Sequence, residues 1–277
     1  MSLDPAIQAV LDGQSEGCIV TGDCLEVMAD MPDGCVDAVV TDPPYGHNNN
    51  NDGDLIANWE AALGRGESGE ARPIANDGAE ANELYRQALP LMRRLLPRGH
   101  CCCCCCAGGG GPDPQFSRWS LWMDEVFAFK QMVVWDKGPM GMGWHYRRSY
   151  ETVLVGEVPG EACQWYGGRK TENIIRPGQY GIRKIMPGAD EHPCAKPVEL
   201  YAHFIGLHTQ SGGVVLDPFA GNGPCCVAAK KLGRRWIGIE IDPGYAEIAR
   251  KRVSATPRPL FPGPSKPEQQ MTLEATP

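Results

Sequence analysis

The chain has 277 residues, 42% of them hydrophobic, and this length can bury one good core, so we expect one domain with decorations. Its net charge of −8 argues against a protein that coats nucleic acid non-specifically, since backbone binding needs clustered cations, but a local basic face remains compatible with it. With no secretory leader and no apolar run long enough to cross a bilayer, the sequence predicts a soluble, cytoplasmic protein without membrane contacts.

The first elements lead to a sheet edge. Residues 1–16 carry little pattern and are predicted to be an N-terminal arm, either a leader helix or a loose segment. A short strand over Gly17–Asp23 and a helix over Cys24–Met31 follow. Asp23 ends its strand, and the carboxyl edge of an open α/β sheet is where ligands bind.

The next strand, Val36–Val40, runs into the sequence Thr41-Asp42-Pro43-Pro44-Tyr45-Gly46. Each proline fixes its own φ and lacks an N–H, so the backbone leaves the sheet as a rigid arm. The Asp42 carboxylate and the Pro43 carbonyl can each accept a hydrogen bond from an exocyclic amine, while Tyr45 stacks on the ring that carries it. Holding both N–H bonds would free the nitrogen lone pair for in-line attack. An ordinary proline-rich loop is the alternative interpretation.

Residues 47–81 are polar and glycine-rich and show no sustained period. A disordered surface insertion is the plainer interpretation, and a mobile lid over a base pocket is the alternative. A helix over Leu84–Leu96 follows and stops at Pro97.

Six of the 13 cysteines are consecutive, from Cys101 to Cys106. The chain is too long and the count is odd for a disulfide scaffold, so we interpret them as reduced thiols. Successive strand residues point to opposite faces, so the run cannot converge on one metal ion as Cys-x-x-Cys pairs do. We therefore predict a strand buried on both faces and no metal site.

A helix over Phe116–Phe127 and strands over Met132–Trp135 and Glu151–Val155 come next. Residues 137–190 differ in composition, with cations among aromatics, glycines and prolines, and are predicted to be a target-recognition region. Such mixtures suit phosphate and base contacts, and the candidates for DNA binding are Arg147, Arg148, Arg169 and Lys170. A solvated hairpin tip and a plain crossover connection are the alternatives.

After a helix over Pro197–Leu207 comes a second key stretch, a buried strand over Val214–Asp217 and a glycine turn. Glycines let backbone N–H groups approach a ligand and aim the following helix, Pro224–Leu232, at its negative end. The next strand, Arg235–Glu240, ends in an acid, and this βαβ arrangement binds a nucleoside ribose diol. A last helix reaches about Val253, and residues 254–277 are predicted to be a disordered tail.

The two key stretches together resemble the amino-type DNA methyltransferases of the permuted β group, over roughly residues 17–253. Such enzymes occur in bacteria and phages, within restriction-modification systems or without a restriction partner. The motifs that carry the resemblance occur in one order: Gly22-Asp23, Asp42 to Tyr45, His192-Pro193 with Lys196-Pro197, Asp217 to Gly223, and Glu240.

The resemblance implies transfer of a methyl group from S-adenosylmethionine to adenine N6 in double-stranded DNA. Aspartate at the first position of the tetrapeptide favours adenine, because cytosine N4 enzymes more often have serine there. The residues implied to hold the base are Asp42, Pro43, Pro44 and Tyr45. Those implied to bind the cofactor are Asp23, Lys196, Asp217, Phe219, Gly221, Gly223 and Glu240.

The resemblance also implies a fold and an arrangement of parts. The fold is α/β, the Rossmann-like class I methyltransferase fold, with a mixed, mostly parallel sheet and helices on both faces. A catalytic half, residues 17–136, precedes the recognition region, and a cofactor-binding half, residues 191–253, follows it. A homodimer is left open.

Two departures from the family pattern bear on these expectations. Pro224-Cys225-Cys226 stands where hydroxyl residues are common, which could weaken cofactor binding, and Cys194-Ala195 replaces a more polar pair. A cytosine N4 enzyme and a catalytically silent protein that binds S-adenosylmethionine or DNA stay open as alternatives.

Pro193-Cys194 and Glu172-Asn173 are similar to the cysteine and glutamate motifs of the cytosine C5 methyltransferases. Those enzymes have their motifs in a different order and lack the Asp42 tetrapeptide, so we interpret this similarity as coincidence.

Overall fold

The computed structural model describes residues 2–46, 75–106, 115–138, 149–182 and 196–258. Within these ranges eight strands form one sheet. In chain order the strands are β1 Gly17–Thr21, β2 Ala38–Thr41, β3 Cys101–Cys106, β4 Ala128–Asp136, β5 Tyr150–Glu157, β6 Ile174–Ile175, β7 Val214–Asp217 and β8 Arg235–Glu240. Their order in the sheet is β1-β8-β7-β2-β3-β5-β4-β6.

Helices connect these strands. In chain order they are α1 Pro5–Leu11, α2 Cys24–Asp30, α3 Ala81–Leu95, α4 Phe116–Val126, α5 Val198–His208, α6 Pro224–Lys231 and α7 Pro243–Ala255, with a 3₁₀ turn at Gln179–Gly181. Aspartates begin three of them: the side chains of Asp4, Asp23 and Asp242 accept hydrogen bonds from backbone N–H groups of the first turn. These caps satisfy donors that a helix start leaves unpaired.

The sheet is mixed and mostly parallel, as predicted. The neighbours from β1 through β8, β7 and β2 to β3 all pair in parallel. β5 is antiparallel to both β3 and β4, and β6 is parallel to β4. The carboxyl ends of β1, β8, β7, β2 and β3 therefore lie at one edge, where the amino end of β5 also lies.

Helices cover both faces of the sheet, as predicted. Helices α1 to α4 enclose one core, which contains Cys102 and Cys104 of β3. Helices α5 to α7 enclose the other, which contains Cys103 and Cys105. The alternation follows from the two-residue period of a strand, and it confirms a cysteine strand buried on both faces.

The connections diverge at β7 and β2. From β7 the chain passes through α6, on one face, to β8, whereas from β2 it passes through α3, on the other face, to β3. The crevice between the carboxyl ends of β7 and β2 is thus a topological switch point, where open α/β sheets bind ligands.

Local differences from the sequence expectations are small. The N-terminal arm contains α1, and β4 is longer than the four predicted residues, with nine. β6 was not predicted, because two residues in a glycine-rich and proline-rich segment leave no pattern. β5 and β6 both belong to the central sheet, although they fall inside the predicted recognition region.

Several predicted features lie outside the described residues. They are residues 47–74 of the insertion, Arg147 and Arg148, His192 to Ala195, and the tail from residue 259. Among the described helices, none combines the length and the apolar character that crossing a bilayer requires.

Candidate active site

Acidic residues gather at the carboxyl edge of the sheet. Asp42 follows β2, and Asp217 and Glu240 end the adjacent strands β7 and β8. Asp23 follows β1, at the far end of this row. The fold therefore brings the two key stretches of the sequence to the two sides of the switch point.

The arm after β2 is anchored by its backbone. The N–H groups of Tyr45 and Gly46 both donate to Asp77 Oδ1, at 2.9 and 2.8 Å. Gln115 Nε2 donates to the Tyr45 carbonyl at 3.1 Å. Gly46 has a φ of +74°, and a Cβ there would lie 3.0 Å from the Gly78 carbonyl oxygen, so the turn favours glycine. Pro43 is buried and Pro44 half-buried, which adds to the rigidity of the arm.

The ring of Tyr45 is held from two sides. Its centroid lies 6.0 Å from that of Trp119 in an edge-on contact, and Trp119 in turn stacks on Tyr85 at 4.0 Å. Lys196 Nζ lies 4.9 Å from the Tyr45 ring centroid. The phenol donates a hydrogen bond to Asp42 Oδ1, so the tetrapeptide carries its own internal contact.

Lys196 links two carboxylates beside this arm. Its ammonium lies 2.9 Å from Asp42 Oδ2 and 3.0 Å from Glu151 Oε2, and its side chain is only 6% exposed. Lys137 at the end of β4 pairs with Glu151 Oε1 at 2.8 Å. Two cations thus face two carboxylates, and the buried charges compensate one another.

Burial and these ion pairs shift the pKa values. Burial raises the pKa of Asp42, and Lys196 offsets part of that rise. Burial alone would also raise the pKa of Glu151, but Lys196 and Lys137 outweigh it and lower the value to about 2. Burial beside Asp42 raises the pKa of Tyr45 well above its ordinary value, so this phenol remains a hydrogen-bond donor.

Asp217 connects the two sides of the switch point. Its Oδ1 accepts hydrogen bonds from the Thr41 hydroxyl at 2.6 Å and from the Phe219 N–H at 3.2 Å. Burial raises the pKa of Asp217 to about 7, and these two donors limit the rise. Phe219 itself is half-buried at the start of the glycine turn.

Glu240 is bound by backbone groups. Its Oε2 accepts from the Gly221 N–H at 2.7 Å and its Oε1 from the Asp242 N–H at 2.9 Å. Burial raises its pKa, although both backbone donors act against this. Gly221 has a φ of +50°, and a Cβ there would meet no atom within 4 Å, so space remains above the turn for a ligand. Gly223 precedes α6 and packs against Ala249 of α7.

Asp23 lies at the same edge but serves its own helix. Its Oδ1 accepts from the Leu25 N–H at 2.7 Å at the start of α2. The adjacent Gly22 N–H donates to the Glu240 carbonyl at 3.0 Å, which ties the end of β1 to that of β8. Asp23 therefore borders the Glu240 side of the edge.

The cysteines that depart from the family pattern lie below the edge. Cys225 and Cys226 belong to the first turn of α6 and are both buried in the core, and the Cys225 thiol donates to the Val40 carbonyl at 3.1 Å. Pro224 occupies the first turn of α6, where proline needs no N–H partner. These residues are core side chains.

The predicted DNA-binding cations are not all brought to this edge. Arg169 and Lys170 are exposed and follow a segment bound to the opposite edge, where Gln164 N–H donates to the Gly99 carbonyl at 2.8 Å. Arg147 and Arg148 lie outside the described residues. Their DNA contacts remain predictions.

Sequence reasoning missed four residues that complete the site: Thr41, Asp77, Lys137 and Glu151. Glu151 could have been noticed, since it is an acid at the start of an apolar strand. Glu151 reaches the site only because β5 runs antiparallel to β3, which brings the amino end of β5 to the carboxyl edge of the sheet. Asp77 lies in a polar stretch without a pattern, so no sequence signal pointed to its contact with the Tyr45 arm.

The geometry supports two tasks at one crevice. On the β2 side, the phenol of Tyr45 donates to the Asp42 carboxylate, and the Lys196 ammonium lies beside both groups. On the β7 and β8 side, a hydroxyl and backbone N–H groups donate to the carboxylates of Asp217 and Glu240. The glycine turn beside these carboxylates leaves open space. A flat amine and a cationic nucleoside would suit these two sides respectively.

Comparison with known proteins identifies the family of the chain. The profile of the DNA methylase family, of the N6/N4 type, matches residues 36–251. The type II methyltransferase M2.DpnII of Streptococcus pneumoniae is 26% identical over 249 residues, covering 86% of this chain and 89% of the relative.

Two solved structures are similar in fold. M1.HpyAVI, crystallised in complex with SAM, is 24% identical with a TM-score of 0.58, covering 86% of this chain and 99% of that one. The cytosine-N4-specific PvuII DNA methyltransferase is 18% identical with a TM-score of 0.59, covering 86% of each chain. These likenesses confirm the predicted class I methyltransferase fold. With the family profile spanning most of its length, the chain belongs to the N6/N4 DNA methylase family.

Proposed function

We propose that this chain transfers a methyl group from S-adenosylmethionine to adenine N6 at a specific site in double-stranded DNA. The observation that carries the proposal is the meeting of the Asp42 and Tyr45 arm with the Asp217 and Glu240 pocket at one switch point. The Thr41 hydroxyl, 2.6 Å from Asp217 Oδ1, joins the two sides. Family membership supports DNA methylation, and the choice of adenine rests on Asp42.

Asp42 is the main acceptor for the target amine. Its two oxygens already accept from Tyr45 and approach Lys196, but each carboxylate oxygen keeps a further lone pair. Lys196 favours the ionised form that can accept from an N–H group. Together with the Pro43 carbonyl, Asp42 holds both amine hydrogens and directs the nitrogen lone pair away from the ring.

Tyr45 fixes the plane of the base. A base must leave the duplex to reach this edge, at a cost of a few kcal/mol that stacking must offset. The anchored backbone and the edge-on contact with Trp119 keep the Tyr45 ring from turning. Because the protein's own fold supplies these contacts, little ordering is left for the reaction itself.

The Glu240 side fits S-adenosylmethionine. Glu240 would hold the ribose hydroxyls, while Asp217, Phe219, Gly221 and Gly223 would line the nucleoside and methionine portions. Asp23 and Lys196 would border its ends. The open space at Gly221, whose N–H donates to Glu240 Oε2, supports this fit. S-adenosylmethionine supplies an electrophilic methyl carbon bound to a positively charged sulfur.

When bound, S-adenosylmethionine would supply the methyl carbon to the amine nitrogen, and the electron pair of the carbon–sulfur bond would leave with the sulfur. The nitrogen then carries one proton too many and must release it. Asp42 is the carboxylate next to that nitrogen, and burial raises its pKa, which favours accepting the proton. Lys196 and Glu151 are positioning residues that keep Asp42 in place.

We propose that the cations of the recognition region, Arg147, Arg148, Arg169 and Lys170, contact the DNA backbone. Since the substrate is cellular DNA, the enzyme would act in the cytoplasm of a bacterial or phage-infected cell. Cytosine N4 is the second candidate acceptor. It is retained because the chain is similar in fold to the PvuII enzyme, which is cytosine-N4-specific.

Nucleoside mass spectrometry of DNA from a methylation-free bacterial host tests the proposal. Cells expressing the chain should contain N6-methyladenine, and cells expressing Asp42→Ala should not. N4-methylcytosine in its place would contradict the choice of base and retain the mechanism. If neither base is found with soluble protein, while calorimetry still detects cofactor binding, a silent binding protein would replace the enzyme.

A further inference from the structure

A second group of reactive side chains lies at the opposite edge of the sheet. Cys101 begins β3, Cys163 follows β5, and His208 ends α5. Their Sγ atoms and an imidazole nitrogen all lie within 4.8 Å of one another. Cys101 and His208 are buried, whereas Cys163 is exposed, so the group is open to solvent on one side.

The spacing of the two sulfurs matches a shared metal ion. Their Sγ atoms are 3.7 Å apart, far beyond the roughly 2.05 Å of a disulfide bond. Two thiolates bound to one tetrahedral zinc ion at about 2.3 Å each would lie about 3.8 Å apart. The pair is therefore already spaced as two ligands of one ion.

His208 adds an independent indication. Its imidazole is only 4% exposed, and its Nδ1 has no hydrogen-bond partner among the described residues. A buried polar atom of this kind costs free energy unless something pairs with it. Trp165 packs edge-on against the imidazole, with ring centroids 5.4 Å apart, and limits its rotation.

Backbone hydrogen bonds hold the segment that carries Cys163. Gln164 N–H donates to the Gly99 carbonyl and Tyr166 N–H to the Leu207 carbonyl, each at 2.8 Å. These bonds flank the cluster on the β3 and α5 sides. The three side chains are thus brought together by the fold before any ion binds.

We propose that Cys101, Cys163 and His208 form a site for a zinc-type divalent ion. Two thiolates and an imidazole are the ligand types that zinc prefers. Water or the carboxylate of Glu157, the strand partner of Cys101, completes the tetrahedron. The bound ion fastens the segment after β5 to the sheet and to α5, away from the methyl-transfer crevice.

This site differs from the cluster considered for the cysteine run. Only Cys101 of that run takes part, which agrees with successive strand residues pointing to opposite faces. The other two ligands are 62 and 107 positions further along the chain, so no sequence spacing could reveal them. The expectation that the chain has no metal site is what this proposal revises.

Cobalt titration of the full-length chain tests the proposal. Protein purified with reductant and stripped by a chelator should bind one equivalent of Co²⁺, with the absorption of tetrahedral thiolate-bound cobalt. Zn²⁺ should displace it. Cys163→Ser and His208→Asn should each weaken zinc binding by at least about tenfold, since even outer-shell changes cost 10–100-fold. Cys35→Ser, which changes a half-exposed thiol elsewhere, should bind zinc as the unchanged chain does.

Thermal unfolding of each variant without metal separates lost binding from lost folding. Cys163 is exposed, so Cys163→Ser should fold normally and carry the decisive comparison. Absence of the thiolate–cobalt absorption in the reduced chain would overturn the proposal. Equal zinc affinity in Cys163→Ser and the unchanged chain would do so too, as would a Cys101–Cys163 disulfide in peptides from the metal-loaded protein.

Discussion

The two sides of the switch point stabilise their carboxylates in opposite ways. On the β2 side, Asp42 and Glu151 are paired with Lys196, and Glu151 also with Lys137. On the β7 and β8 side, Asp217 and Glu240 accept hydrogen bonds from neutral donors. Among the described residues, no ammonium or guanidinium group forms an ion pair with either of them.

This difference sets the charge that each side presents. The cations lower the pKa of Glu151 to about 2, whereas burial raises that of Asp217 to about 7. On the β2 side, burial raises the pKa of Asp42 and Lys196 offsets part of that rise, so the cation favours the carboxylate that orients a neutral amine. The carboxylates of Asp217 and Glu240 have no cationic partner among the described residues, and a positively charged cofactor can supply that charge.

The largest effect is expected on the β2 side. Asp42→Ala removes the main acceptor for the amine and should lower the single-turnover methylation rate by about 10²–10³-fold, as for other preorganised catalytic groups. Asp33→Ala, the matched change at an exposed aspartate, should leave the rate unaltered. Transfer of the labelled methyl group from S-adenosylmethionine to DNA measures this. A folded Asp42→Ala chain with the normal rate would contradict the mechanism.

On the β7 and β8 side, Asp217 should make the free energy of unfolding depend on pH. The folded-state pKa of Asp217 is raised to about 7 from an ordinary value of 3.8, so its stabilising contribution is complete below about pH 4. That contribution is lost as pH rises towards 7, by up to about 4 kcal/mol. Denaturant unfolding at several pH values should therefore give a flatter profile for Asp217→Asn.

Glu151 should give the opposite sign. Its folded-state pKa is lowered to about 2, so its contribution is present above its ordinary value of 4.5 and is lost as pH falls towards 2. At neutral pH, Glu151→Gln leaves the two lysines short of one negative charge. We expect a loss of about 1–3 kcal/mol in the free energy of unfolding, less than for a fully buried pair. A variant as stable as the unchanged chain would show that these ion pairs are solvent-screened.

The smallest effect should follow from breaking the contact between the two sides. Thr41→Val removes the hydroxyl that donates to Asp217 and should cost about 1 kcal/mol. Because that donor favours the ionised carboxylate, its removal should raise the pKa of Asp217 further. The upper end of the pH-dependent loss in unfolding free energy should shift to higher pH, and an unshifted profile would argue against the contact.

The sequence predicted most of the fold, and it also predicted where the β2 side and the β7 and β8 side of the switch point lie. β2 and β7 could be recognised because apolar strands ending in Asp42-Pro43-Pro44 and in Asp217 with a glycine turn carry local chemistry. The buried cysteine strand followed from residue alternation alone. These features depend on neighbours in the chain, so the sequence contains them directly.

What the sequence did not reveal depends on pairing between distant segments. Glu151 joins the site because β5 runs antiparallel to β3, and Lys137 because β4 runs back beside it. Lys196 was predicted as a cofactor residue, but its visible contacts are the ion pairs with Asp42 and Glu151. Strand direction decided the contacts of Glu151 and Lys137, and no local pattern encodes it.

Calorimetric binding of S-adenosylmethionine to Asp42→Asn and Glu240→Gln tests most directly whether the two sides divide the work. We predict that Asp42→Asn binds the cofactor within about twofold of the unchanged chain, whereas Glu240→Gln binds it at least about tenfold more weakly, a difference of about 1.4 kcal/mol. Equal weakening in both variants, or normal binding by Glu240→Gln, would contradict the division between a base side and a cofactor side.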